Sequence, residues 1–160
     1  MSLQLTAPQP LEVADELGNF DCGEPSLNDW LKRRALANHL SGASRTFVVT
    51  DSNRRVYGYY ALAAGVIAHQ EATSSIRRNM PDPIPVMVLG RLAIDRRAQG
   101  IKLGAALLQD AVVRSKAVAQ NAGVRALLVH ALNDSAKSFY EHYGFKVSPQ
   151  HLMTLMLPLR

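Results

Sequence analysis

This 160-residue chain is poor in the features that mark several protein classes. It has a single cysteine, Cys22, so no disulfide can close within it, and a reducing compartment fits. No apolar run approaches the roughly 20 residues that cross a bilayer, and no membrane partner is expected. The opening residues, Met1 to Pro8, lack a basic stretch followed by an apolar one. No signal peptide is therefore expected, and the cytoplasm is the expected location. His39, His69, His130, His142 and His151 show no metal-ligand spacing and lie far from Cys22 in sequence, so no metal site is expected. No repeat, low-complexity stretch or linker interrupts the chain. Its length and 48% hydrophobic content suit a single domain over residues 1–160.

One sign of charge is also missing from one end. Residues 1–29 contain no Lys or Arg but six acids, Glu12, Asp15, Glu16, Asp21, Glu24 and Asp29, so the net charge of +5 leaves +11 for residues 30–160. Between Trp30 and Pro81, eight bases (Lys32, Arg33, Arg34, Arg45, Arg54, Arg55, Arg77 and Arg78) are set against only Asp51 and Glu71. Such asymmetry points to a polyanionic partner or to a solvated surface of dispersed charge, and composition does not separate the two.

Ser26-Leu-Asn-Asp29 has the form of a helix start, with Ser26 as N-cap and Asp29 in the first turn. Leu27, Trp30, Leu31, Ala35 and Leu40 then give an apolar stripe to about residue 40. Residues 44–50 and 56–64 read as strands about a turn at Asp51–Arg54, residues 66–84 as a long loop, and Pro85–Ile94 as a third strand. A helix from Leu103 to Asn121, with Leu107, Leu108, Ala111 and Val112 inward, leads to an apolar strand from Val124 to Ala131. A short helix opens at Asn133-Asp134 and closes at Gly144, and residues 145–147 and 152–157 supply a closing hairpin. The fold class is α/β, a mixed central sheet with helices on both faces, in which strands 85–94 and 124–131 are parallel neighbours.

The most chemically informative stretch is Arg97-Ala-Gln-Gly100-Ile-Lys-Leu-Gly104, which joins a strand to a helix. Unpaired amides at a helix start, with the positive end of its dipole, form an anion site and suggest a phosphate-bearing ligand. It is not a P-loop, because Ala105-Ala106 follows Gly104, nor a Rossmann fingerprint, which needs three glycines. Downstream comes Asn133-x-x-Ala136-x-x-Phe139-Tyr140-x-x-x-Gly144-Phe145. Together with Arg97-x-x-Gly100, this resembles the acyl-CoA-binding half of the GNAT N-acetyltransferases over residues 85–147. The resemblance implies the GNAT fold and acetyl-CoA as donor. It implies that Leu92, Ala93 and Ile94 contact pantetheine, and that Arg97, Gln99, Gly100, Ile101, Lys102, Leu103 and Gly104 wrap the pyrophosphate with backbone amides. Asn133 would touch the cofactor arm, and the Tyr140 hydroxyl would protonate the leaving thiolate. The family usually has Gly or Ala where this chain has Lys102. An outward lysine that adds charge for the phosphates is the favoured reading, with Gly100 and Gly104 keeping the turn permissive.

The attacking amine must be unprotonated. Lysine amines have pKa near ~10.4 and α-amino groups near ~8. Strand 85–94 holds no carboxylate to act as base, and Asp95 lies just beyond it. An α-amino acceptor is therefore favoured, with Glu141 or a water chain left open as base. Phe20-Asp-Cys-Gly23-Glu-Pro-Ser-Leu27-Asn-Asp-Trp30-Leu31, Ser44-Arg-Thr-Phe-Val-Val49 and Leu89-Gly-Arg-Leu-Ala-Ile-Asp95 are similar to segments of the TacT-type toxins of type II toxin–antitoxin systems. That resemblance implies acetylation of the α-amino group of aminoacyl-tRNA, which blocks translation. It also implies a ribbon-helix-helix antitoxin, operator DNA reached through the antitoxin complex, and a homodimer.

Lys32, Arg33, Arg34, Arg45, Arg77, Arg78 and Arg91 are candidates for tRNA phosphates, and no feature of the sequence ranks them. Trp30, Tyr57, Tyr59 and Tyr60 read most simply as core and sheet-face residues, although a strand-face tyrosine could stack on a terminal base. His130 reads as a packed or hydrogen-bonded histidine. Two other functions stay open: a GNAT enzyme acting on a protein amino terminus or small amine, and a non-catalytic nucleic-acid-binding module with a CoA-like pocket.

Overall fold

The structure, a computed structural model, describes residues 4–160. Seven strands form a mixed sheet in the order β1-β2-β3-β4-β5-β7-β6. They are β1 (Gln9–Pro10), β2 (Arg45–Thr50), β3 (Val56–Ile67), β4 (Ile84–Ile94), β5 (Ala126–His130), β6 (Lys146–Val147) and β7 (Thr154–Pro158). The helices are α1 (Pro25–Trp30), continued through a π turn at Leu31–Ala35 into α2 (Leu36–Ser41), then α3 (Ser74–Arg77), α4 (Leu103–Ala119) and α5 (Asp134–His142). The chain forms two compact units, Met1–Ala63 with Arg91–Ala111, and Ala64–Gly90 with Val112–Arg160.

In the first unit β2 and β3 make the expected antiparallel hairpin, with Phe47 opposite Tyr60 and Val48 opposite Tyr59. Arg54 supplies a left-handed residue at its turn, φ 63°. The short β1, absent from the sequence reading, adds to β2 by pairing Gln9 with Val48 and Pro10 with Phe47. Leu11, Phe20, Leu31, Ala35, Val48, Val56, Tyr59 and Ala93 form its core.

The first helix differs from expectation at both ends. It starts at Pro25, with Glu24 in the capping position and no side-chain cap, and Asp29 lies beyond the first turn. Proline has no N–H to satisfy and a preset φ, so it suits a first helical position better than Ser26 does. At the other end Leu40 is 69% exposed, while His39 is 7% exposed and takes the buried place. In an α-helix the line Leu31, Ala35, His39 would drift by about 40° at each four-residue step. The wider π turn reverses that drift once, so the three stay on one buried face. Burial, and secondarily the charge of Arg45, holds the His39 pKa down, and its Nδ1 accepts from Thr46 N at 3.0 Å.

The acid-rich amino-terminal segment turns out to be a partner for bases of its own unit. Arg54 pairs with Glu12 and Asp15, and Arg96 with Asp21, while Arg55 pairs with Asp51 of its own hairpin.

In the second unit the expected loop at 66–84 is more ordered. β3 runs on to Ile67, and a 3₁₀ turn at His69–Glu71 precedes α3. Ile76 of α3 packs with Ile67, Ala72, Ile84, Val86, Ala126, Leu128 and Met156. Arg125 secures that turn, its Nε donating to Ile76 O and its guanidinium NH2 to Ser75 O, each at 3.1 Å. The β4–β5 ladder is parallel, as expected, from Met87 opposite Leu127 to Leu89 opposite Val129. β7 pairs antiparallel with both β5 and β6. Among the described residues no helix is long and apolar enough to cross a membrane.

Candidate functional site

In the first unit β4 ends at Ile94, and Asp95 turns the chain. Its amide donates to Tyr57 O at 2.8 Å, and its carboxylate, 2% exposed, is surrounded by donors. Oδ1 accepts from Arg97 N and Arg97 Nε, both at 2.8 Å, and Oδ2 from the Arg97 guanidinium at 3.0 Å and Asp21 N at 2.9 Å. Burial works against the charge, but these hydrogen bonds and the guanidinium prevail and hold the Asp95 pKa below the usual range. The Arg97 guanidinium also lies 4.4 Å over the Tyr57 ring. Its side chain and amide both anchor the turn, and the amides of Ala98 and Gln99 bond Asp95 O and Arg96 O. Arg97 and Gln99 therefore do not offer the backbone amides expected of them for a pyrophosphate, and unbonded backbone begins only at Gly100.

Residues 20–24 run along this turn. Arg96 N donates to Asp21 O at 2.9 Å. Gln99 Nε2 donates to Cys22 O at 3.3 Å and Ile94 O at 3.0 Å. Asp21 Oδ1 accepts from Gly23 N at 2.9 Å and Asn28 Nδ2 at 3.0 Å, while Asn28 Oδ1 accepts from Cys22 N at 2.9 Å. The support from Asp21, Asn28 and Asp95 was not anticipated as part of the site. Its trace in the sequence is that Asp21, Asn28 and Asp95 lie within the two segments that carry the toxin resemblance, Phe20–Leu31 and Leu89–Asp95.

The bend itself is made by Gly100, φ 86°, and Lys102, φ 64°. Gly104, expected to share that task, sits in the first turn of α4. A left-handed lysine costs roughly 1–2 kcal/mol, a physical reason for a small residue to be usual there. The Lys102 side chain is exposed, as are Gly100, Gln99 and Ile101, while Leu103 and Gly104 are half-buried. None of the amides from Gly100 to Ala105 donates to an acceptor among the described residues. A run of free N–H groups that includes two left-handed residues and ends on a helix start can serve as donors to phosphate oxygens. Of the residues assigned to pantetheine, Ala93 is buried, and Leu92 and Ile94 are half-buried.

In the second unit Asn133 caps α5, its side-chain oxygen accepting from Ala136 N at 2.8 Å. Tyr140 lies in the last turn of that helix, its ring 5.3 Å from Phe139 and 5.5 Å from Phe145. The residue is 7% exposed, and burial pushes its pKa up to about 12. Its hydroxyl makes no hydrogen bond among the described residues, yet it is not one of the fully enclosed unpartnered oxygens. It is a neutral O–H donor with nothing to donate to. Elsewhere in this unit, His130 bonds Thr154 Oγ1 at 3.0 Å and lines a cavity of about 660 Å³ with Val66, Ile67, Glu71, Leu128 and His151. No group of metal-binding side chains occurs among the described residues.

The basic candidates fall in separate places. Lys32, Arg33 and Arg34 are the exposed middle of the π turn. Arg45 donates to His39 O at 3.0 Å. Arg91 lies 4.4 Å over the Trp30 ring, and Trp30, partly buried, packs at the margin of the first unit's core. Arg77 and Arg78, in the second unit, are exposed. Tyr57, Tyr59 and Tyr60 are buried and donate to Asp51, Leu27 O and Asp110 respectively, which leaves no strand-face tyrosine open to a base.

Residues 20–153 match the family described as acetyltransferase (GNAT) domain. A protein of Mycobacterium tuberculosis named tRNA-acetylating toxin is 52% identical over 158 residues, covering 97% of this chain and 95% of that protein. Among solved structures, AtaT complexed with acetyl-methionyl-tRNAfMet matches with a TM-score of 0.89 and 31% identity, over 97% of this chain and 95% of that one. A Tyr-to-Phe variant of AtaT bound to the C-terminus of the antitoxin AtaR and to acetyl-CoA matches with a TM-score of 0.81 and 31% identity, over 98% and 94%.

Proposed function

Because this chain belongs to the GNAT acetyltransferase family, we propose that it is a toxin that acetylates the α-amino group of aminoacyl-tRNA and so stops translation. The observation that carries this is the run of unbonded amides from Gly100 to Ala105, held open by Asp95 and Arg97. It is joined by the similarity to a tRNA-acetylating toxin across nearly the whole chain. Acetyl-CoA, when bound, supplies the acetyl group as a thioester. The Gly100–Ala105 amides hold its pyrophosphate, Leu92 to Ile94 offer strand backbone to its pantetheine, and Asn133 adds a polar contact from the cap of α5. Tyr140 would give its hydroxyl proton to the departing sulfur as the carbon–sulfur bond breaks, and the proton shed by the amine as the amide forms would restore the phenol. Its raised pKa keeps it protonated at neutral pH, the state a general acid needs. An α-amino group, pKa near ~8, is partly neutral at that pH and needs less help from a base than a lysine does.

The partners proposed with this activity are an antitoxin of ribbon-helix-helix type, operator DNA bound through the antitoxin complex, and a second copy of the chain. The whole chain acts as one acetyltransferase domain in the cytoplasm. The test is mass spectrometry of total aminoacyl-tRNA after incubation with the protein and acetyl-CoA. Acetylated α-amino groups on charged tRNA are expected. Acetyl transfer confined to proteins, peptides or polyamines, with every charged tRNA unmodified, rejects the proposal.

A further inference from the structure

We propose that Arg91 and Trp30 form a stacking platform for an unpaired nucleobase at the single-stranded 3′ end of the acceptor RNA, beside phosphates held by Lys32, Arg33 and Arg34. This rests on charged tRNA being the acceptor and assigns a place on the chain to part of it.

The platform is built in layers. Tyr59 is fully buried, fixed by its hydroxyl bond to Leu27 O at 2.7 Å and by the edge of Phe20 at 5.5 Å. Trp30 stacks on it, 6.0 Å between centroids and 12° from parallel. The guanidinium of Arg91 covers Trp30 at 4.4 Å. A phenol ring, an indole stacked on it and a guanidinium over the indole thus follow one another from the core outward, and the outermost is partly exposed.

The bases of this unit divide into those paired with a carboxylate and those that, among the described residues, are not, Arg91, Arg45 and the Lys32–Arg34 triplet being among the second group. Arg54, Arg55, Arg96 and Arg97 each have a carboxylate partner, whereas Arg91 has none among the described residues. A guanidinium lying on an indole and free of carboxylates offers its other face to a π system. Bases stack on such planes, and only unpaired bases expose a face to them. Duplex RNA does not, whereas the acceptor end of a tRNA does.

The helix supplies the second half of the site. Trp30 is followed at once by the π turn, whose exposed residues are Lys32, Arg33 and Arg34. π turns are rare and concentrate at functional sites. Three bases in one turn next to a stacking plane match alternating phosphate and base contacts along a single strand. An acidic peptide would engage the edge of a guanidinium through a carboxylate, and an aromatic backing adds little to that.

Trp30 is the only tryptophan in the chain, so its fluorescence reports on this platform alone. Titration with an RNA minihelix carrying a single-stranded 3′ end should change that emission, and the same helix without the overhang should leave it unchanged. Equal responses to both, or no response to either at saturating RNA, overturn the proposal. Arg91→Lys keeps the charge and loses the plane. It should raise the KM for aminoacyl-tRNA by about 5- to 100-fold, the worth of one stacked base, with acetyl-CoA affinity unchanged. An unaltered KM in a variant that still binds acetyl-CoA rejects the platform while leaving the tRNA-acetylating activity standing. Loss of affinity for the antitoxin with no change in KM would mark a peptide site and reject it too. If the wild-type protein acetylates no charged tRNA, it is the acceptor assignment that fails, a separate outcome.

Discussion

In the first unit the Asp95 and Arg97 side chains beside the turn at Gly100 are committed to one another, and what stays unbonded is backbone. Asp95 accepts four hydrogen bonds from Arg97 and Asp21, and the free donors are the amides beyond them. In the second unit the arrangement is reversed. Around Tyr140 there are aromatic rings, and the one polar atom offered for chemistry is its hydroxyl. In the proposed mechanism, binding is thus spread over several main-chain groups that no single substitution removes, while proton delivery rests on one oxygen. Substitutions should therefore damage the two units unequally.

The largest effect is expected at Tyr140. Tyr140→Phe removes only the hydroxyl, so kcat should fall by about 10²- to 10⁴-fold with the dissociation constant for acetyl-CoA little changed. Single-turnover kinetics beside calorimetric binding would separate the two, and a loss shared equally between binding and kcat would dissolve the contrast. Asp95→Ala should do the opposite. It orphans donors in a protected turn and should cost about 2–4 kcal/mol of stability, with a raised KM for acetyl-CoA and a kcat largely kept.

The pH dependence of that second variant is informative. The folded-state pKa of Asp95 lies below its unfolded value near ~3.9, so its contribution is complete above that pH and disappears as pH falls through the folded value. Acid unfolding of Asp95→Ala should accordingly show a flatter limb. The smallest effect belongs to Lys102→Gly, which relieves the left-handed backbone at φ 64° and should gain about 0.5–1 kcal/mol in denaturant unfolding. A loss of stability there would mean that the lysine side chain holds the turn.

The same contrast explains what was legible in the sequence. The turn was visible because a strand, glycines and a helix follow one another locally, and Tyr140 because its helix carries a spaced motif. The support beneath the turn was not visible, since Asp21 meets Asp95 across 74 residues and long-range pairing leaves no periodic mark. Asp95 itself was placed near the turn but given no task. Lys102 could be flagged as unusual, but its backbone angle has no signature in a residue that rarely adopts it. The acid-rich segment suggested an external polyanion by leaving bases in excess, yet several of its carboxylates neutralise arginines of the same unit. Apolarity points Leu40 inward, whereas the spacing from Leu31 and Ala35 selects His39.

That last correction returns to the π turn at Leu31–Ala35. Counting from Leu31 at about 100° per residue, an ordinary α turn would bring Arg34 to within about 60° of the buried line. At the wider spacing of about 4.4 residues per turn Arg34 moves to about 115° away, while Ala35 stays inward. One added residue per turn therefore lets an apolar seam and an uninterrupted basic triplet occupy the same stretch of helix. Deleting a single residue here would rotate Leu36–Ser41 by roughly a quarter turn, so the chain can vary the chemistry of this stretch but not its length.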